Sequence, residues 1–138
     1  TVLADGGRVH GVIPEMLKDL EVAHTGVTEL HIVQNMHERK AKMTDLTDAF
    51  VALPGGVGTM DELFEAWSWN ALGYHNKPFA ILNIDGYWDS LIAFLDTMTE
   101  QGFVSVERRK HLIVSDNIAD CLDRLAAACN SEAGSFTW

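Results

Sequence analysis

The chain has 138 residues, of which 47% are hydrophobic, so it can bury one core but is too short for two ordinary domains. Its formal net charge of −10, from 20 acidic and 10 basic residues, disfavours nucleic acid and anionic lipid as partners, and no long basic run reverses this. No apolar segment approaches the roughly 20 residues of a membrane span, and none has the layout of a signal peptide. We therefore expect one soluble, cytoplasmic domain over residues 1–138.

The first residues have the pattern of a helix end. The chain begins with Thr1 instead of a methionine, and Thr1–Gly7 (TVLADGG) reads as the last turn of a helix followed by a glycine cap. We therefore expect strands and helices of the same domain to precede Thr1, so that this chain is the C-terminal, larger part of that domain.

Apolar segments of strand length alternate with segments of helical spacing along the chain. Apolar strands separated by helices are typical of a parallel sheet covered on both faces and built from right-handed crossovers. The sequence therefore predicts an α/β fold of the Rossmann-like type. The predicted strands are Val9–Ile13, Glu29–Gln34, Ala49–Leu53, Pro78–Ile84 and His111–Val114, and the predicted helices are Met36–Thr47, Thr59–Leu72, Trp88–Glu100 and Ile118–Cys129.

The cysteines and histidines indicate neither a disulfide nor a metal site. Cys121 and Cys129 lie eight positions apart in one predicted helix, where a disulfide between them is geometrically implausible. The six histidines are scattered, and the chain has neither the HxxxH nor the CxxC spacing that brings ligands onto one ion. We therefore predict no metal and no cofactor.

A glycine-rich segment, Pro54–Thr59, joins the predicted strand Ala49–Leu53 to the helix that follows. In an open parallel sheet, ligands bind beyond the carboxyl ends of the strands, where this segment lies. Its backbone N–H groups and the positive end of the helix dipole suit a phosphate, and Thr59 can donate a hydroxyl or cap the helix. The segment matches neither G-x-x-x-x-G-K-[ST] nor G-x-G-x-x-G, so it predicts a different anion-binding loop. The alternative is a tight turn that requires glycine for its own geometry.

Two cations lie on an otherwise apolar face of the predicted helix Met36–Thr47. At about 100° per residue, Arg39 and Lys40 share that face with Met36, Met43 and Leu46. Because a dry core disfavours charge, we expect both side chains to reach over its rim toward an anion. The alternative is that they are solvated or paired with acidic neighbours.

The helix Thr59–Leu72 has a carboxylate outside its main apolar stripe, because Glu62 lies about 150° from the centre of that stripe. Near the positive end of the helix, Glu62 should stay ionised, which suits it to stabilising a developing cation or activating water. The alternative is an acid that only complements the helix dipole. Trp69 and Leu72 add apolar surface near the outer face, which favours a homodimer with the sites near its interface. The main stripe consists of Met60, Leu63, Phe64, Trp67 and Ala71.

Two motifs together resemble the paired signature of the Lonely Guy family. They are Met36–Lys40 (MHERK) and Leu53–Glu62 (LPGGVGTMDE), and the PGGxGTxxE pattern within the second is specific. The likeness runs over nearly the whole chain, including Gly11–Pro14, Glu21–His24 and Lys77-Pro78. Members of this family are cytokinin riboside 5′-monophosphate phosphoribohydrolases, which are often mislabelled as lysine decarboxylases.

The resemblance implies hydrolysis of the N-glycosidic bond of an N6-modified adenosine monophosphate, or of AMP itself, to free base and ribose 5-phosphate. It implies that Arg39 and Glu62 are the catalytic pair. The family's other glycine-rich segment, GGGxxGLMG, would precede Thr1, so a fragment that begins there should be inactive alone. The substrate-binding residues, from the resemblance and from the loop, are Glu21, Lys40, Gly55, Gly56, Val57, Gly58, Thr59 and Ser68, where relatives often have threonine at the last position.

Three other functions compete with this hypothesis. A non-catalytic nucleotide or cofactor carrier would share the fold and the phosphate loop, but it would not need both Arg39 and Glu62. A true lysine decarboxylase would use pyridoxal phosphate on a lysine, and the sequence contains no matching lysine motif. A pure interaction module would leave the glycine loop and Arg39-Lys40 unexplained.

Overall fold

The structure, a computed structural model, describes residues 1–17 and 26–132. The chain forms two compact units, Thr1–Thr47 and Asp48–Trp138. Every helix among the described residues is too short or too polar to cross a membrane. The expectation of one domain over residues 1–138 stays a prediction.

The first unit contains strands β1 (His10–Pro14) and β2 (Glu29–Val33) and helix α1 (Met36–Leu46). The strands are parallel and in register from His10 opposite Glu29 to Pro14 opposite Val33. A single turn of 3₁₀ helix, Glu15–Leu17, follows β1.

The apolar face predicted for α1 is only partly covered. Every residue of this helix is half-buried or exposed, and Met36 and Leu46 keep 39% and 43% of their surface accessible. Within the first unit, α1 packs on β1 and β2, and a ladder of two strands covers only part of a helix of this length.

The second unit contains a sheet of three parallel strands in the order β3, β4, β5, so β4 is central. The parallel pairing predicted from the apolar strands is therefore confirmed here and in the first unit. The strands are β3 (Phe50–Ala52), β4 (Phe79–Leu82) and β5 (Leu112–Ser115), and the helices are α2 (Val57–Ala71), α3 (Asp89–Glu100), α4 (Val106–His111) and α5 (Ile118–Glu132).

Strand β4 is buried on both faces of this sheet. Phe79 and Ile81 belong to a cluster with residues of α2 and α3, whereas Ala80 and Leu82 belong to a second cluster with residues of α5. A strand covered on both sides needs apolar residues at every position, which explains the uninterrupted apolar segment in the sequence. The two layers contain Leu63, Trp67, Trp88 and Leu95 on one side and Cys121 and Leu125 on the other.

Helix α4 is absent from the sequence-based prediction. Its six residues, VERRKH, are nearly all polar, so no apolar period marks them. The helix begins instead at a local signal, since the Ser105 hydroxyl accepts a hydrogen bond from the Arg108 N–H. Cys121 is a buried free thiol, and Cys129 is a half-buried one.

Candidate active site

The glycine-rich segment lies at the carboxyl end of β3, as predicted. Strand β3 ends at Ala52, and α2 begins at Val57, two residues earlier than the sequence predicted. Because β3, β4 and β5 are parallel, the segments that follow all three strands lie at one edge of the sheet. This edge of the second unit is where the phosphate loop was expected.

Helix α2 presents an open N-terminus at this edge. Its N-cap, Gly56, has an extended backbone and contributes no side chain. The first hydrogen bond within the helix runs from the Met60 N–H to the Gly56 carbonyl. The N–H groups of Val57, Gly58 and Thr59 precede that bond, so they have no partner from an earlier helical turn. Val57 is 84% exposed, and Gly58 is exposed as well. N–H groups at the positive end of a helix dipole are suited to an anion.

The three glycines of this loop are in different surroundings. A Cβ at Gly55 would collide with the hydroxyl of Thr59 and lie 3.0 Å from its Cβ, so packing within the chain requires glycine there. A Cβ at Gly56 or at Gly58 would have no described neighbour within 4 Å, and neither residue has a positive φ. Neither a positive φ nor packing against described residues requires glycine at these two positions, and glycine is also typical of places where a ligand approaches the backbone closely. Packing within the chain therefore accounts for glycine at Gly55 alone.

Glu62 lies on α2 one turn after Thr59, and residues three apart on a helix are neighbours. Both residues are half-buried. Glu62 does not face fully outward as the sequence predicted, because the buried stripe of α2 includes Ala66, one turn further along on the same side. The carboxylate therefore lies at the edge of the core, near the helix end that is suited to an anion.

Arg39 lies near the start of α1, in the first unit, and this start is defined by side chains. Asn35 accepts a hydrogen bond from the Glu38 N–H at 2.9 Å, and a Glu38 oxygen accepts one from the Gln34 N–H at 2.9 Å. The Asn35 cap satisfies one N–H of the first turn and Glu38 holds the N–H of the residue before the cap, so these two bonds fix where the helix begins. Arg39 is half-buried, and its Nε donates to the carbonyl of Val12 in β1 at 3.3 Å. Lys40, the next residue, is also half-buried.

The turn after β4 contributes a residue that sequence reasoning missed. The hydroxyl of Tyr87 donates to the carbonyl of Gly55 at 2.8 Å, and its ring meets that of Trp88 edge-on at 4.8 Å. Asp85 and Gly86 before it have φ values of 51° and 72°, in the left-handed region that favours glycine. The available signal was the Asp-Gly pair directly after a buried strand, which marks a turn at the same sheet edge.

Ser68 lies apart from the loop within one chain. It follows Thr59 by nine residues, which is roughly 13 Å along α2 and the opposite side of the helix at about 100° per residue. It lines a mostly apolar cavity of about 180 Å³ together with Trp67, Met98 and Phe103. Its role in substrate binding stays a prediction. Glu21, the other predicted substrate contact away from the loop, lies outside the described residues.

The second unit also contains a buried histidine, His75, whose surroundings disfavour the charged form of its ring. His75 is 9% exposed, and its Nδ1 accepts a hydrogen bond from the Lys77 N–H at 3.1 Å. Burial lowers the pKa of His75 below its ordinary value, the positive charge of Lys77 lowers it further, and the carbonyl of Ala66 opposes this to a smaller degree. His75 lies between α2 and β4, and its ring contacts Phe50 of β3. His75 therefore has a structural role in the packing of the sheet.

Comparison with known proteins places this sequence in a family. The family model described as "Possible lysine decarboxylase" matches residues 1–125. A cytokinin riboside 5′-monophosphate phosphoribohydrolase of Rhodococcoides fascians is 48% identical over 117 residues, which are 84% of this chain and 59% of that protein.

Plant proteins of the same name are similar to a comparable degree. One from Arabidopsis thaliana is 45% identical over 122 residues, which are 88% of this chain and 57% of that protein. A probable phosphoribohydrolase of Oryza sativa is 45% identical over 88% of this chain and 58% of its own length. The chain thus spans somewhat more than half the length of these relatives. It belongs to the family of the matching model, the Lonely Guy family that its MHERK and PGGVGT motifs indicate.

Proposed function

We propose that this protein hydrolyses the N-glycosidic bond of an N6-modified adenosine 5′-monophosphate, or of AMP, and releases the free base and ribose 5-phosphate. The main support is the pair Gly56 and Gly58, which leave open space beside the backbone at the N-terminus of α2. The names of the curated relatives describe this activity for those proteins.

The loop would bind the 5′-phosphate. The N–H groups from Gly56 to Thr59 come from the first turn of a helix, where the dipole favours negative charge. The Thr59 hydroxyl offers a further donor close to the backbone of Gly55. Gly55 and Val57 complete the loop as predicted substrate contacts. A phosphate bound here would anchor the nucleotide at one end, while the N-glycosidic bond that reacts lies away from the loop.

Glu62 would act on the reacting carbon. When the C1′–N9 bond breaks, its electron pair leaves with the base, and positive charge develops on the ribose. A carboxylate stabilises that charge and accepts a proton from the water that adds to C1′, as carboxylates do in glycoside hydrolysis. The base takes up one proton from solvent and Glu62 releases the proton that it accepted, so the sum is one water consumed per nucleotide. Burial of Glu62 at the edge of the core strengthens its electrostatic effect on the ribose.

Arg39 is proposed as the second catalytic residue, and Lys40, Glu21 and Ser68 as substrate contacts. The support for Arg39 is its half-buried position with its Nε hydrogen-bonded to Val12, since a guanidinium anchored at one nitrogen has a defined orientation. Arg39 and Lys40 also belong to the MHERK motif, and its resemblance to the family signature supports the catalytic role of Arg39 and the substrate contact of Lys40.

We further propose that the enzyme is a cytoplasmic homodimer. Several large apolar side chains of the second unit are exposed, among them Leu72 at 71%, Tyr74 at 77% and Phe103 at 83%. Exposed apolar surface of this kind is typical of an interface. Two free cysteines are consistent with a reducing compartment.

The test uses the protein in its full natural length, incubated with AMP and with isopentenyladenosine monophosphate. Chromatography follows the free base and ribose 5-phosphate. The test variant Glu62→Gln removes the charge but keeps the shape, and Asp61→Asn does the same to the adjacent, exposed carboxylate. We expect kcat to fall about 100-fold or more for Glu62→Gln and for Arg39→Ala, and to stay near the wild-type value for Asp61→Asn.

A nucleotide carrier of the same fold is the second candidate, because an open helix N-terminus binds phosphate without any chemistry. The same experiment separates the two. Binding of AMP without release of base from either nucleotide would favour the carrier. Release of base by Glu62→Gln at the wild-type rate would remove Glu62 from the mechanism.

A further inference from the structure

Strand pairing in the first unit brings two histidines and a glutamate to one place. His10 lies opposite Glu29 in the register of β1 and β2, and His31 follows Glu29 by two residues on the same strand. Residues opposite each other in a sheet point to the same face, and so do residues two apart in one strand. His10, Glu29 and His31 therefore project from one face of this ladder.

The three side chains are close enough to share an ion. Nδ1 of His10 lies 3.4 Å from one oxygen of Glu29, and Nε2 of His31 lies 3.5 Å from the other. All three ligand atoms lie within 4.8 Å of one another. Four ligands at about 2.0–2.1 Å around a tetrahedral ion are roughly 3.4 Å apart, and each imidazole nitrogen already lies at about this distance from one of the two Glu29 oxygens.

A direct ion pair does not fully account for this arrangement. Nε2 of His31 is buried and makes no hydrogen bond with any residue that the structure describes, although it lies within ion-pair distance of Glu29. A buried ring nitrogen without a hydrogen bond is costly, whereas a metal ion would satisfy it. The rings of His10 and His31 are also nearly parallel, 6.0 Å apart between their centres, and each presents a nitrogen to the same carboxylate.

We propose that His10, Glu29 and His31 bind a divalent transition-metal ion, with Zn²⁺ as the best fit. Imidazole nitrogen favours zinc over magnesium or calcium, and two neutral histidines with one carboxylate are a known ligand type for an open zinc site. The side chains of His10 and Glu29 keep 33% and 52% of their surface accessible, so an ion can enter and retain a water molecule in its fourth position. The ion would also link β1 to β2.

The test titrates the full-length, metal-free protein with Zn²⁺ against a chromophoric chelator and measures stoichiometry and affinity. Co²⁺ serves as a spectroscopic probe, because its visible bands report the coordination geometry. The ligand variants are His10→Gln, Glu29→Gln and His31→Gln, and the control is His111→Gln, an exposed histidine in α4. Nucleotide turnover is not a readout here, so the proposed function can fail without affecting this result.

We expect one zinc ion per chain and a loss of affinity of about tenfold or more in each ligand variant, with no change in the control. His31 is half-buried, so its replacement could disturb the fold; His10 is exposed, and its variant keeps the test decisive. The proposal is overturned if the wild-type protein binds no zinc, or if His10→Gln binds it as tightly as His111→Gln does.

Discussion

The hydroxyl of Tyr87 donates a hydrogen bond of 2.8 Å to the carbonyl oxygen of Gly55, which lies 32 residues earlier in the chain. This bond joins the turn after β4 to the glycine loop after β3. In a trans peptide the carbonyl and the following N–H point in opposite directions, so a fixed Gly55 carbonyl also fixes the direction of the Gly56 N–H. Tyr87 therefore orients the first donor of the proposed phosphate site.

Replacing Tyr87 by phenylalanine should loosen this loop. We expect weaker nucleotide binding, seen as a higher KM with kcat less affected, and a loss of about 1 kcal/mol or less in the free energy of unfolding, since the bond is exposed. Steady-state kinetics and urea denaturation measure the two effects. Tyr74→Phe is the matched control, because Tyr74 is the chain's other tyrosine, is 77% exposed, and keeps as phenylalanine the apolar ring offered to the proposed interface. Equal KM values for both variants would contradict this role.

Alanine at Gly55 and at Gly56 should have opposite consequences. A methyl at Gly55 meets the side chain of Thr59, so Gly55→Ala should lower the free energy of unfolding by about 1–3 kcal/mol. A methyl at Gly56 meets open space, so Gly56→Ala should change stability by about 1 kcal/mol or less but weaken AMP binding, because it occupies the space proposed for phosphate. Urea denaturation and calorimetric titration with AMP distinguish them. Wild-type AMP affinity in Gly56→Ala would count against the phosphate site.

His75 should make stability depend on pH. Its pKa is lowered in the folded protein, so the unfolded chain binds protons more readily. The contribution of neutral His75 is fully present above the ordinary histidine pKa of about 6.5 and is lost as the pH falls below that value. We expect the free energy of unfolding to fall with a slope from this group of at most about 1.4 kcal/mol per pH unit.

Urea denaturation between pH 8 and pH 5 would measure this slope, with the pH values chosen to bracket roughly 6.5. His75→Gln should reduce the slope, whereas His111→Gln, at an exposed position, should leave it unchanged. If both variants keep the wild-type slope, another group is responsible.

The start of α1 should be sensitive to its cap. Asn35 accepts the hydrogen bond from the Glu38 N–H, so Asn35→Ala should lower the free energy of unfolding by about 1 kcal/mol. Because the N–H of Arg39 also bonds to the Asn35 carbonyl, fraying of this turn should reduce turnover as well. Thermal denaturation and the base-release assay measure both effects, and exposed Asn76→Ala is the control. Unchanged stability in Asn35→Ala would argue against the cap.

Much of the fold was predictable because its signals lie within single elements. The continuous apolar segment around Phe79–Leu82 indicated a strand buried on both faces, and the glycines after Ala52 marked the end of a strand and the start of a helix. Errors occurred where packing decides. Glu62 was predicted to face away from the core but is half-buried, because the covered face of α2 extends to Ala66, one turn further along on the same side.

The sequence by itself determined the parallel α/β class and the position of the glycine loop, since each depends on neighbouring residues or on a short period. The catalytic roles of Arg39 and Glu62 stay predictions. Only the tertiary structure decided which distant residues meet. Tyr87, after β4, reaches Gly55, after the neighbouring strand β3, and His10 meets His31 through the register of β1 and β2. Such contacts depend on strand order and register, which are set by the packing of whole elements and leave no periodic signal in the chain.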